Sequence, residues 1–252
     1  MKIELLLKEL KGRDQARRAR AAEGLRAAAA SSPADFRNAE TVSALTRLIN
    51  FGQDWSVRQT ALAILDEAAP REAVAKLLAE FRSRSPAKRQ EAARKFTRIT
   101  ESMFPALVRE IKRQAVSDLL NAAAEEGGPW AVRTSAISVL GSIKHEDALP
   151  ALVAALGSDS HWVRDEAAIA LAHYRARAAA AVPRLIEALS DPTADAYAAQ
   201  ALGAIGAAAI SAVPFLERAA RDGDEELEEY ASQSAAKIKA AWKRRAGKAS
   251  KK

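Results

Sequence analysis

The chain has 252 residues, 28% of them charged and 49% hydrophobic, with only 11 Gly and 9 Pro and a formal net charge of +7. That composition excludes a disordered or loop-rich all-β protein, and the lack of Cys excludes disulfides, thiolate zinc sites and a cysteine nucleophile. Ala, Leu, Arg, Glu and Lys, the strong helix formers, dominate and predict an all-α protein.

The opening MKIELLLKEL carries Lys2, Glu4, Lys8 and Glu9 within its apolar run, so it reads as a polar-faced terminal helix and not a signal peptide. A recurrent frame follows, with an Arg, small residues three and four places on, and a large apolar residue at seven. It fits Arg18 with Ala21, Ala22 and Leu25, and a loop through Ser31, Ser32 and Pro33 then ends the first unit. The frame returns at Arg58 in DWSVRQTALAIL (54–65) with Ala61 and Leu65, and at Arg89 with Ala92, Ala93 and Phe96. MFPALVREI, from 103, predicts a long helix closed by Gly127, Gly128 and Pro129. Three further copies are Arg133 with Ala136 and Leu140, Arg164 with Ala167, Ala168 and Leu171, and one in which Asp195 takes the Arg place before Ala198, Ala199 and Leu202.

These copies are 40, 31, 44, 31 and 31 residues apart, each about one helix-turn-helix unit. First helices are marked by Pro150, Pro183 and Pro214, since proline in the first turn sacrifices no intrahelical hydrogen bond. Gly157, Asp159, Asp191, Asp222 and Gly223 supply the turns. The expected fold is a right-handed α-solenoid of six to seven stacked helical hairpins over 1–245. A hinge is expected near 127–129, and a disordered basic tail at 246–252. No run is read as the roughly 18 uncharged apolar residues of a membrane span, and a cytoplasmic monomer is expected.

The pattern resembles the HEAT-repeat family, in particular the short bacterial-type repeats first named for the phycobilisome lyases. The resemblance runs from about Lys2 to Ile238 and is strongest between Gly127 and Gly223. It implies a ladder between stacked repeats in which a turn Asp meets the Arg of the frame: Asp54 with Arg58, Asp159 with Arg164, Asp14 with Arg18, and Arg133 in the same role. On this reading the recurrent Arg is architectural, and the ladder weakens at Asp195.

Stacking leaves the second helices on a concave side, where helical spacing turns certain residues away from the packed stripe. They are Arg20 and Glu23; Gln59 and Ala63; Arg94 and Arg98; Ser135, Ser138 and Ser142; Asp165, Ile169 and His173; Tyr197 and Gln200. Charge is uneven. Arg13, Arg17, Arg18, Arg20 and Arg26 crowd the first repeat; Arg82, Arg84, Lys88, Arg89, Arg94, Lys95 and Arg98 form a block opposed only by Glu91; and KIKAAWKRRAGKASKK is basic throughout after the acidic DGDEELEE. Trp55, Trp130 and Trp162 precede their Arg by two or three residues and read first as plugs between repeats, second as groups that stack a base or grip a phosphate.

No Gly-rich phosphate loop, nucleophile elbow or paired catalytic carboxylate is apparent, and His145, His161 and His173 are too scattered for a metal site. HEAT-repeat hydroxylases bind iron through His-Glu pairs, but this chain has Gln59-Thr60, Gln90-Glu91, Thr134-Ser135 and Asp165-Glu166 in the matching places. HEAT-like alkylpurine DNA glycosylases offer only Asp165 near Trp162 as a counterpart. The leading expectation is a non-enzymatic, cofactor-free scaffold that binds a protein or peptide through Arg20, Arg94, Arg98, Ser138, Ile169, His173, Tyr197 and Gln200. The alternative is sequence-independent nucleic-acid binding, with or without base chemistry, by the basic patches and tail.

Overall fold

Helix starts in this chain are set by short polar side chains and by proline. Asp14, Asn38 and Asp224 each accept a hydrogen bond from the backbone N–H three residues on, at 3.0, 2.9 and 2.9 Å, satisfying a donor that the first turn leaves without a helical partner. Pro70, Pro86 and Pro105 open their helices at positions where the missing N–H costs nothing. The computed structural model describes residues 2–50, 55–189 and 196–249, and their regular structure is helical throughout.

The helices gather into two compact units, Met1–Leu119 and Leu120–Lys252. The first contains the hairpins α1 (Lys2–Leu10) with α2 (Gln15–Ser31), α3 (Ala39–Leu48) with α4 (Trp55–Ala68), and α5 (Pro70–Phe81) with α6 (Pro86–Glu101). Then come α7 (Pro105–Gln114) and the start of α8 (Val116–Ala124). The second continues with α9 (Trp130–Ile143) and the hairpins α10 (Ala148–Ala155) with α11 (His161–Tyr174), α12 (Val182–Leu189) with α13 (Ala196–Ile205), and α14 (Val213–Asp222) with α15 (Glu225–Ala249). Two 3-10 turns, Arg175–Ala181 and Gly206–Ala212, lead into α12 and α14.

The repeat frame becomes the core. Leu25, Leu65, Phe96, Leu140, Leu171 and Leu202, which close the six copies, are all fully buried, each contributing about 2 kcal/mol of apolar burial. The small residues of the frame face the next second helix: α9 packs on α11, α11 on α13 and α13 on α15. At Gly141 an added Cβ would lie 2.8 Å from the Ala170 Cα, and at Gly203 2.8 Å from the Ser234 Cβ, so these helices approach as closely as backbone allows. The result is the expected all-α solenoid architecture, built hairpin upon hairpin within each unit.

Three expectations are corrected. The helix from 103 does not run to Gly127: α7 ends at Gln114, Ala115 caps it (φ −107°, ψ −12°), and α8 begins at Val116. The stretch from Ala246 is helical through Ala249, continuing α15, whose acidic first turn and basic last turns both complement the helix dipole. The division between the compact units falls at 119/120, inside α8. Finally, the apolar stretch Ala196–Asp222 is long and hydrophobic enough to cross a membrane by composition, but it breaks at Gly206 (φ 74°) and folds into two helices whose Leu202, Ile205, Val213 and Leu216 are buried among their neighbours.

Candidate binding surfaces on the second helices

The architectural Arg acts through backbone carbonyls. Arg18 Nη1 donates to the carbonyls of Gly12 (3.0 Å) and Arg13 (2.8 Å), and Arg164 Nη1 to those of Ser158 (2.8 Å) and Asp159 (3.2 Å). Each guanidinium thus ties down the turn that precedes its own helix. Asp159 serves through its carbonyl oxygen rather than its carboxylate, and the Asp14 carboxylate caps α2 on Arg17. One link between successive repeats in the second unit is Ser158: its hydroxyl accepts from Arg133 Nη1 at 3.2 Å, while Arg133 Nε reaches the Ala123 carbonyl at the end of α8. Asp54 and Asp195 lie outside the described residues.

The basic block between 82 and 98 is partly consumed inside the first unit. Arg82 makes a bidentate pair with Asp118, both bonds 2.8 Å. Lys95, only 4% exposed, is held by Glu80 at 3.1 Å with Glu91 at 4.0 Å. Arg98 Nη1 donates to the Ile49 carbonyl at 2.8 Å. Glu80 and Asp118 therefore oppose the block together with Glu91, a correction that follows from tertiary contacts 15 and 36 residues apart in sequence. Arg20 and Arg94 remain exposed.

The three Trp side chains do not plug the stack. Trp55, Trp130 and Trp162 are 64%, 53% and 54% exposed, because each stands on the first turn of its helix, beyond the apolar stripe. In the second unit Trp130 and Trp162 lie parallel, with ring centroids 5.9 Å apart and planes 23° apart, and His161 leans on Trp162 at 4.5 Å. The residues expected on the binding side of this unit form a matching row. Ser138, Ile169 and Gln200 occupy equivalent places 31 residues apart on α9, α11 and α13. His173 shares the Trp162 face of α11 at helical spacing, and both it and Gln200 are exposed, as is Tyr197 near the start of α13.

Two features escaped the sequence reading. One is the stacking of Trp130 on Trp162, which depends on the approach of α9 to α11. The other is the acidic excess of 120–236, legible by counting: those residues hold 8 basic and 17 acidic side chains, against 23 basic and 15 acidic in 1–119 and 8 basic and none acidic in 237–252. Among the described residues no three His, Asp or Glu side chains gather as a metal-binding group.

The HEAT-repeat family model matches residues 74–172 and, overlapping, 116–196. Among solved structures, an engineered protein is similar over 94% of this chain and 98% of its own, with 21% identity and a TM-score of 0.59. Kap121p is similar over 95% of this chain, with 15% identity and a TM-score of 0.57; the similar region is 29% of its length. At these identities the likeness is one of fold. No curated protein matches in sequence. Stacked helical hairpins, the Arg-anchored turns and the family match together show that the chain carries HEAT repeats over 74–196, within a HEAT-like solenoid fold.

Proposed function

We propose that the protein is a non-enzymatic scaffold that docks a protein or peptide segment on the second helices of its C-terminal unit. The observation that carries this reading is the exposed Trp130–Trp162 stack with His161 against it. Flat aromatic groups on rigid helices give large contact area at small entropic cost, and such residues dominate interface energetics. The row Ser138, Ile169 and Gln200, with His173 and Tyr197, extends the surface along successive helices. The excess of acidic over basic side chains in 120–236 favours a segment bearing Lys or Arg, which tryptophan faces also attract.

A displayed-peptide selection tests this, run on the full chain and counter-selected on the W130A/W162A double variant. The expected result is enrichment of basic peptides whose affinity drops at least about tenfold in that variant, the loss of one modest hot spot. Peptides that bind wild type and double variant alike would reject the reading.

A further inference from the structure

The first unit holds a second, chemically different cavity. About 480 Å³ in volume, it is lined by Trp55, Arg58 and Gln59 of α4 and by Arg98, Glu101 and Ser102 at the end of α6. Trp55 is the most exposed of the three helix-start tryptophans, and it also lines a separate hollow together with Arg18, Glu23 and Arg26. Gln59 Nε2 donates to the Ser102 hydroxyl at 3.3 Å and joins the two walls.

Among the described lining residues, the guanidiniums of Arg58 and Arg98 outnumber the carboxylates. Arg98 is fixed by its bond to the Ile49 carbonyl, is partly buried, and has Arg58 and Arg94 for neighbours. Desolvation first, and then the charge of Arg58, hold its pKa below the ordinary arginine value, with Glu91 and Glu101 opposing the shift. Among the described residues the lining carboxylate is that of Glu101, while Glu91 accepts from Asn50 at 2.7 Å and lies 4.0 Å from Lys95.

We propose that this cavity binds a nucleotide phosphate, with the base stacked on Trp55 and the phosphate held between Arg58 and Arg98. Guanidinium forks match phosphate oxygens, and a base on an exposed indole is the other half of sequence-tolerant nucleotide recognition. The same chemistry fits a free mononucleotide or one step of a single strand. A strand would also reach the hollow that Trp55 shares with Arg26, and the first unit's 23 basic against 15 acidic side chains favour its approach. This site is independent of the peptide surface of the second unit.

The test uses the full chain, with AMP, adenosine, inorganic phosphate and a fluorescein-labelled oligo(dA) as probes, followed by calorimetry and anisotropy. Binding of AMP well above adenosine or phosphate alone identifies a free-nucleotide site; oligo(dA) binding that AMP does not displace identifies a strand. In either case Trp55→Ala should weaken the bound probe at least about tenfold, with Trp55→Phe recovering most of it. For a strand, R98Q should also reduce the log–log salt slope by about 0.7, one phosphate contact, and R98K should restore it. Because Arg98 also holds Ile49, thermal melting of R98Q accompanies the titration, and the exposed Trp55 substitutions carry the test if that variant is unfolded. Binding of neither AMP nor oligo(dA), or affinity unchanged in Trp55→Ala, would overturn the proposal.

Discussion

Trp130 and Trp162, on neighbouring second helices, lie face to face with 5.9 Å between ring centroids while each keeps about half its surface open to solvent. Two indoles at that separation couple electronically. The far-ultraviolet circular dichroism spectrum should therefore contain an exciton couplet superimposed on the helical bands, lost in W130F and in W162F alike but retained in W55F. Neither substitution should change stability by more than about 1 kcal/mol, the order of an aromatic pair beyond its area burial. A couplet that survives W162F would mean that the stack does not form in solution.

Lys95 and Glu80 test a different pair, an ammonium that is almost entirely inside the first unit and a carboxylate that follows it there. Removing Glu80 leaves the buried ammonium only the more distant Glu91, whereas removing the charge itself leaves shape and apolar contact. Glu80→Ala should thus cost about 3 kcal/mol and Lys95→Met much less, with urea unfolding as the measurement. Equal losses in the two variants would show that packing of the lysine stem, not its charge, matters at this site.

What the sequence displays and what it hides follow from the range of the interactions. Leu25, Leu65, Phe96, Leu140, Leu171 and Leu202 were readable as core because burial of a helix stripe imposes a period of 3.6, and the stacking of such units imposes the longer repeat of 31 residues. Ser138, Ile169 and Gln200 follow from the same arithmetic. By contrast, nothing local distinguishes Trp130 as half of a stack, or Lys95 as a buried ion: each depends on which neighbour lies across a helix interface. The Arg-to-carbonyl anchoring by Arg18 and Arg164 was hidden for a subtler reason, since a turn that contains Asp offers a backbone acceptor and a side-chain acceptor, and only the geometry chooses between them.

The close approach of second helices makes two glycines sensitive to a single methyl group. A Cβ at Gly141 would meet the Ala170 backbone at 2.8 Å and its Cβ at 2.6 Å; at Gly203 it would meet the buried Ser234 Cβ at 2.8 Å. Alanine normally favours a helix interior over glycine by about 1 kcal/mol, but at these places overpacking costs more, typically about 1–3 kcal/mol. Gly141→Ala and Gly203→Ala should both lower the melting temperature. Gly203→Ala combined with Ser234→Gly should recover part of the loss, because it removes the atoms that clash. A stabilising effect of either single substitution would mean that the helices are farther apart in solution.

Tyr174 predicts how the second unit responds to alkali. α9 ends on Lys144 in the left-handed conformation (φ 53°), which a residue with a side chain adopts at a cost, and the Tyr174 hydroxyl lies 3.0 Å from the Leu140 carbonyl and 2.7 Å from the His145 carbonyl, bracketing that residue. Burial raises the phenol pKa from 10.0 to about 12, opposed only in part by Arg177 over the ring. A group that keeps its proton more tightly in the folded state contributes its full stability below the unfolded pKa, and loses it as pH rises from about 10 towards 12. Tyr174→Phe should therefore cost about 1 kcal/mol at neutral pH, the value of one hydrogen bond, while its stability declines less between pH 10 and 12 than that of the wild type. Parallel decline of the two proteins across that window, followed by denaturant melts, would show that Tyr174 ionises without hindrance and does not clamp the end of α9.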